Sequence, residues 1–165
     1  MLFRSAIAND GVYVSPRLVK ATIDEKGSLW EAPSGESHRV VSEPTATTMQ
    51  ALMAAVVCEG TGTRARIDGI SVAGKTGTGY KIQENGTYEN EDGTRAYFAT
   101  FVGFLPANDP RITILVSIDE PDPSSRDRFG GTAAAPAFAK IATLSIHERA
   151  IEPVAGDAGC PAVSE

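Results

Sequence analysis

Between Ser71 and Tyr80 the chain reads Ser-Val-Ala-Gly-Lys-Thr-Gly-Thr-Gly-Tyr, and the glycines at 74, 77 and 79 deny this stretch a helix. Each costs a helix interior about 1 kcal/mol relative to alanine. What glycine favours instead is an extended strand against which a ligand or a second backbone can lie closely. Lys75 stands among those glycines beside the hydroxyls of Thr76 and Thr78. A fixed ammonium with two hydroxyl donors is suited to holding a carboxylate.

A nucleotide site competes for the same residues. Gly69-Ile70-Ser71-Val72-Ala73-Gly74-Lys75-Thr76 matches the phosphate-loop pattern GxxxxGK[ST] letter for letter. Such a loop follows a buried strand and opens a helix whose N-terminus attracts the phosphate. Here Thr63 to Asp68 is too polar for a central parallel strand, and Gly77 and Gly79 stand where the helix would begin. The apolar run Ile112 to Ile118 ends in Asp119-Glu120, as a magnesium-binding strand would, but so does any buried strand that stops at a turn such as Pro121 and Pro123. The context favours an edge strand beside a cleft, and the nucleotide reading stays as the lesser alternative.

The flanking pattern supplies the rest of a sheet. Arg95 to Leu105 is rich in β-formers, and Arg111 to Asp119 is the strongest strand signal in the chain. The turn Pro106-Ala107-Asn108-Asp109-Pro110 separates them as in a hairpin. Strands near Ala73, Phe101 and Leu115 are therefore expected to form an antiparallel meander with Lys75 towards one edge. Tyr80 to Thr94 is a polar connection longer than usual for a hairpin.

Ser42 is a good N-cap, with Glu43 favourable to the helix dipole and Pro44 tolerated in the first turn. Met49, Leu52, Met53, Val56 and Val57 follow as an apolar stripe, read as core, and Gly60 to Gly62 end the helix. Before it, Met1 to Asn9 reads as a short helix stopped at Gly11. Val12 to Val14, Leu18 to Ile23 and Leu29-Trp30 read as strands of a small hairpin lobe, and Ala32 to Arg39, with His38, as loop. Arg64 and Arg66 read as solvated. Pro121 to Gly131 is loop, and a last helix starting at Thr132 or the alanines after it carries Ala134, Phe138, Ile141 and Ser145 on one face. Residues 156–165 have no apolar pattern and are expected to be a disordered tail.

Composition sets bounds. The 165 residues fit one domain, 42% apolar and 22% charged. With a net charge of −6 and no basic run, nucleic acid is excluded as a partner. Neither end reads as a signal peptide, and no apolar run approaches the roughly 20 residues that span a bilayer, so a soluble chain is expected. Cys58 and Cys160 are read as a buried thiol and a tail thiol, too few and too far apart for a metal site or a disulfide framework.

Lys75-Thr76-Gly77-Thr78 resembles the Lys-Thr-Gly signature of the penicillin-binding proteins and serine β-lactamases. The likeness extends further. Gly60-Thr61-Gly62-Thr63, Val72 to Thr78, Phe98 to Pro106, and Gly130-Gly131-Thr132-Ala133-Ala134-Ala135-Pro136-Ala137-Phe138 are similar, in that order, to the C-terminal half of class B penicillin-binding proteins of the division and elongation type. The long connection after Thr78 and the later Gly-Gly-Thr-Ala-Ala-Ala-Pro element look more like these synthetic enzymes than like a β-lactamase.

The resemblance implies an α+β fold: an antiparallel sheet flanked by helices, part of a penicillin-binding protein/serine β-lactamase-like transpeptidase fold, over residues 1–155. It implies a D,D-transpeptidase parent at the extracytoplasmic face of the bacterial membrane, which cross-links peptidoglycan stem peptides through an acyl-serine, binds β-lactams, and needs no cofactor or metal. Carried over by position, Lys75 would orient the ligand carboxylate, Thr76 and Thr78 would bind it, Gly77 would keep the edge open, and the Thr78 N–H would be an oxyanion donor. The sequence departs from the family in lacking any Ser-x-x-Lys and any Ser-x-Asn, and Tyr88-Glu89-Asn90 follows the Lys-Thr-Gly element where the family's variant precedes it. The expectation is a C-terminal portion of the domain, inactive alone, whose partner is the missing N-terminal part and which exposes an apolar edge and helix face. The alternatives are a non-catalytic module that binds a peptide carboxylate and a folding half that complements another segment.

Overall fold

The computed structural model describes residues 2–154 apart from 85, 91 and 123, together with 157, 159 and 160. The elements run α1 (Leu2–Ala8), β1 (Val12–Val14), β2 (Ala21–Ile23), β3 (Leu29–Glu31), β4 (Ser37–Arg39), α2 (Glu43–Cys58), β5 (Ala73–Tyr80), β6 (Tyr97–Leu105), β7 (Ile112–Asp119) and α3 (Ala135–Glu148). A 3-10 turn at Thr63–Ala65 and a wide π-type turn at Gly130–Ala134 lead into β5 and α3 respectively. The α+β architecture expected from the sequence is present.

The three long strands form the expected antiparallel meander in the order β5-β6-β7. Lys75 lies opposite Val102 and Thr78 opposite Ala99, and Phe101 faces Val116 across the next pair. β5 and β7 are therefore the two edges. Beneath the sheet, Phe101, Leu105, Val57, Val72 and Phe138 make one core cluster, with the Phe101 and Phe138 rings edge to face at 4.8 Å. Ile7, Met53, Ala73 and Phe104 make a second where α1 meets α2.

α2 starts as its sequence predicts: the Ser42 hydroxyl accepts the Thr45 N–H, and Pro44 sits in the first turn. Its buried face differs from the predicted stripe. Ala46, Met53 and Val57 are buried, whereas Leu52 is 57% exposed. The same correction applies to α3, where Ala135, Phe138 and Ala142 turn inward and Ile141 is exposed. In α3 the small side chains of Ala135 and Ala142 pack in the same cluster as Phe101 and Phe138, so the helix comes close while the two rings fill the space between.

Two other expectations are overturned. Ser37–Arg39, read as loop, pairs with β1, and His38 lies against the Tyr13 ring at 5.1 Å. Arg39 fixes that strand by donating to the carbonyls of Asp10 and Val41. The second correction is larger: Cys58 and Cys160 form a disulfide across 102 residues of sequence, with Cα atoms 5.2 Å apart. After α3 the chain comes back past the start of β5. There the Asp157 carboxylate accepts from the Ser71 N–H (3.0 Å) and hydroxyl (2.6 Å), and Cys160 reaches the C-terminal end of α2. Asp157 and Cys160 are thus fastened, contrary to the tail expectation; the rest of 156–165 apart from Gly159 lies outside the described residues.

Candidate functional site: a hydroxyl-lined groove at the β5 edge

The site begins with the alternation of β5. Ala73 and Gly74 are buried, Lys75 is exposed, Thr76 and Gly77 are half-buried, and Thr78 to Tyr80 are exposed, so the strand emerges from the core as it passes the predicted site. Gly74 is required because a Cβ there would run into the Phe101 ring. At Gly77 a Cβ would meet the Thr100 hydroxyl, which instead donates to the Gly77 carbonyl.

Two segments distant in sequence close on this edge. The corner after α2 brings the Thr61 hydroxyl within 2.9 Å of the Thr76 hydroxyl. The π-type turn brings the Gly130 N–H to donate to the Thr78 hydroxyl at 3.1 Å. Gly130 packs so tightly that a Cβ would collide with the carbonyls of Thr100 and Gly77, and at Gly131 a Cβ would collide with that of Thr61. Between these walls lies an open groove of about 360 Å³, lined by Thr61, Arg64, Thr76, Thr78, Phe129 and Thr132 among others.

Thr76 and Thr78, predicted from sequence, line the groove together. Lys75 does not line it: its ammonium lies along its own strand and donates to the Thr76 carbonyl (3.1 Å) and hydroxyl (3.2 Å), touching the site through Thr76. Thr61 and Thr132 stood in the sequence only as parts of similar segments, and Phe129 only within the loop from Pro121 to Gly131. Arg64 is exposed as expected but paired, whereas Arg66 is half-buried. Arg66 donates to the carbonyls of Val57 (3.2 Å) and Cys58, closing the end of α2. Arg64 lines the groove, paired through Nη1 with Asp127 at 2.8 Å and donating to the Thr132 carbonyl at 3.3 Å. No local signal in the sequence marks these partners.

The nucleotide reading loses its geometry. Gly74 to Thr76 lie inside a strand, and no helix follows Lys75. Asp119 and Glu120, the would-be magnesium ligands, both hold the Lys81 ammonium, at 2.8 and 3.0 Å, and those hydrogen bonds raise its pKa.

Residues 2–143 match the family model of the penicillin binding protein transpeptidase domain. Penicillin-binding protein PbpB of Mycobacterium tuberculosis is 40% identical over 96% of this chain, and the probable peptidoglycan D,D-transpeptidase PenA of Neisseria meningitidis is 36% identical over 90%. The match covers 24% and 23% of those proteins, so the chain spans about a quarter of the length of these relatives. Among solved structures, penicillin binding protein 3 of Mycobacterium tuberculosis complexed with aztreonam superposes with a TM-score of 0.77 at 36% identity, over 97% of this chain and 36% of that one.

Proposed function

Because the chain belongs to the family of penicillin-binding protein transpeptidase domains, we propose that it forms the Lys-Thr-Gly wall of a peptidoglycan D,D-transpeptidase cleft. The observation that carries this is the β5 edge, paired on one side only among the described residues, whose Thr76 and Thr78 hydroxyls line an open groove. Hydroxyl donors fixed by Thr61 and Gly130 are preorganised to take a ligand carboxylate without rearrangement.

In the proposed reaction a serine attacks the penultimate D-alanyl carbonyl of a stem peptide, D-alanine leaves, and an amine of a neighbouring stem takes the acyl group. β-Lactams enter the same path and stay as the acyl-enzyme. In this reading Thr76 and Thr78 hold the terminal carboxylate, and Lys75 adds positive potential through its contact with Thr76. Gly77 keeps the edge bare, and the Thr78 N–H serves as one of two oxyanion donors.

The nucleophile and its lysine base lie outside these 165 residues, which contain no Ser-x-x-Lys. The 165-residue chain is therefore proposed to be inactive by itself and to complete its cleft with the rest of the domain. The Cys58–Cys160 disulfide supports an extracytoplasmic location, since such bonds persist in oxidising compartments. No helix among the described residues is long and apolar enough to cross a membrane.

The test is intact mass after incubation with a penicillin. A protein extended N-terminally through the nucleophile signatures is expected to gain one penicillin and the 165-residue chain none. An adduct on the short chain, or none on the extended one, would refute the proposal.

A further inference from the structure

A carboxylate is received most strongly by a cation that lines the groove, and the predicted one, Lys75, reaches the groove only through the Thr76 hydroxyl. Lys75 spends its ammonium on Thr76, while Arg64, carried on the 3-10 turn, is the charged side chain lining the groove among the described residues. Among the described residues its contacts, to Asp127 and to the Thr132 carbonyl, both use Nη1, one nitrogen of a planar five-donor fork made for carboxylates. The ion pair is loose in energetic terms: Arg64 and Asp127 side chains are 51% and 57% exposed, and exposed pairs contribute about 0–1 kcal/mol. Exchanging Asp127 for another carboxylate therefore loses little, and the released Asp127 is rehydrated where it stands.

We propose that Arg64 receives the terminal carboxylate of a D-alanyl peptide or β-lactam, and that Asp127 holds the guanidinium in place until that carboxylate displaces it. The proposal rests on the carboxylate-binding reading of the groove given above and adds to it the charged group that discriminates an acid from a neutral ligand. Thr76 and Thr78 supply hydroxyls that either ligand could use; the guanidinium, the charged group lining the groove among the described residues, distinguishes them by charge at direct contact. The exchange keeps the guanidinium paired in both states, and the Asp127 carboxylate, 57% exposed, passes from the ion pair to water.

The experiment follows the Arg64 Nε–H and the Thr76 and Thr78 backbone amides by NMR while the protein is titrated with N-acetyl-D-alanyl-D-alanine or its C-terminal amide. The expected result is a saturable shift at Arg64 with the acid and none with the amide. Arg64→Ala should weaken acid binding about tenfold, the size of one charge-assisted hydrogen bond. Arg64→Lys should recover part of that loss, and Asp127→Asn should tighten binding of the acid alone.

If Thr76 and Thr78 respond to the acid while Arg64 does not, and Arg64→Ala binds like the parent, the Arg64 proposal is overturned and the carboxylate reading survives. If none of the three sites distinguishes acid from amide, both are overturned.

Discussion

At the scale of single residues the site is built by glycines that face backbone and threonines that face each other. Gly130 and Gly79 make the useful comparison. A methyl at Gly130 meets two backbone carbonyls that cannot step aside, whereas one at Gly79 meets nothing within 4 Å. Gly130→Ala is therefore expected to destabilise the protein by about 1–3 kcal/mol, the usual cost of overpacking. Gly79→Ala should stay within about 0.5 kcal/mol; urea unfolding of the two variants beside the parent checks both. That Thr76 and Thr78 share one strand edge was legible from sequence because they stand two positions apart in one glycine-rich run. The residues that orient them were not, because Thr61 reaches Thr76 across 15 residues and Gly130 reaches Thr78 across 52. No local periodicity encodes such a meeting.

At the scale of elements, α2 and the β5-β6-β7 meander follow from local signals: a serine cap before an apolar stripe, and β-rich runs separated by a proline turn. The returning segment at Asp157 follows from none, since its polar composition is that of a tail until Ser71 is seen to meet it. Burial pushes the Asp157 carboxyl up, but the Ser71 hydroxyl and N–H and the Gly159 N–H outweigh it and hold the pKa below its ordinary 3.8. A carboxyl with a depressed folded pKa stabilises the fold above its unfolded value and loses that contribution as pH falls through the folded one. Asp157→Ala should thus lower Tm at neutral pH, and the gap to the parent should narrow below about pH 3.8. A gap unchanged down to pH 2 in thermal melts would show that the ion contributes nothing.

At the scale of the whole molecule, the one covalent link between distant parts is the Cys58–Cys160 bond, which spans 102 residues and includes the entire main sheet and α3. Counting cysteines read the pair as unconnected because sequence distance stood in for spatial distance; the fold brings the Cα atoms to 5.2 Å. Closing so long a loop restrains the unfolded chain by about 4–5 kcal/mol in the chain-entropy account. Reduction by a dithiol, or Cys160→Ala, is expected to lower Tm by on the order of 10 °C for a chain of this size. Equal melting with and without reductant would count against the link. The bond also changes what cleavage can do. The connection between β5 and β6 lies within the span it closes, so a protease that cuts there produces no free fragment. β5 and β6 remain paired, and the two pieces, each carrying part of the groove, stay one molecule until a reductant parts them.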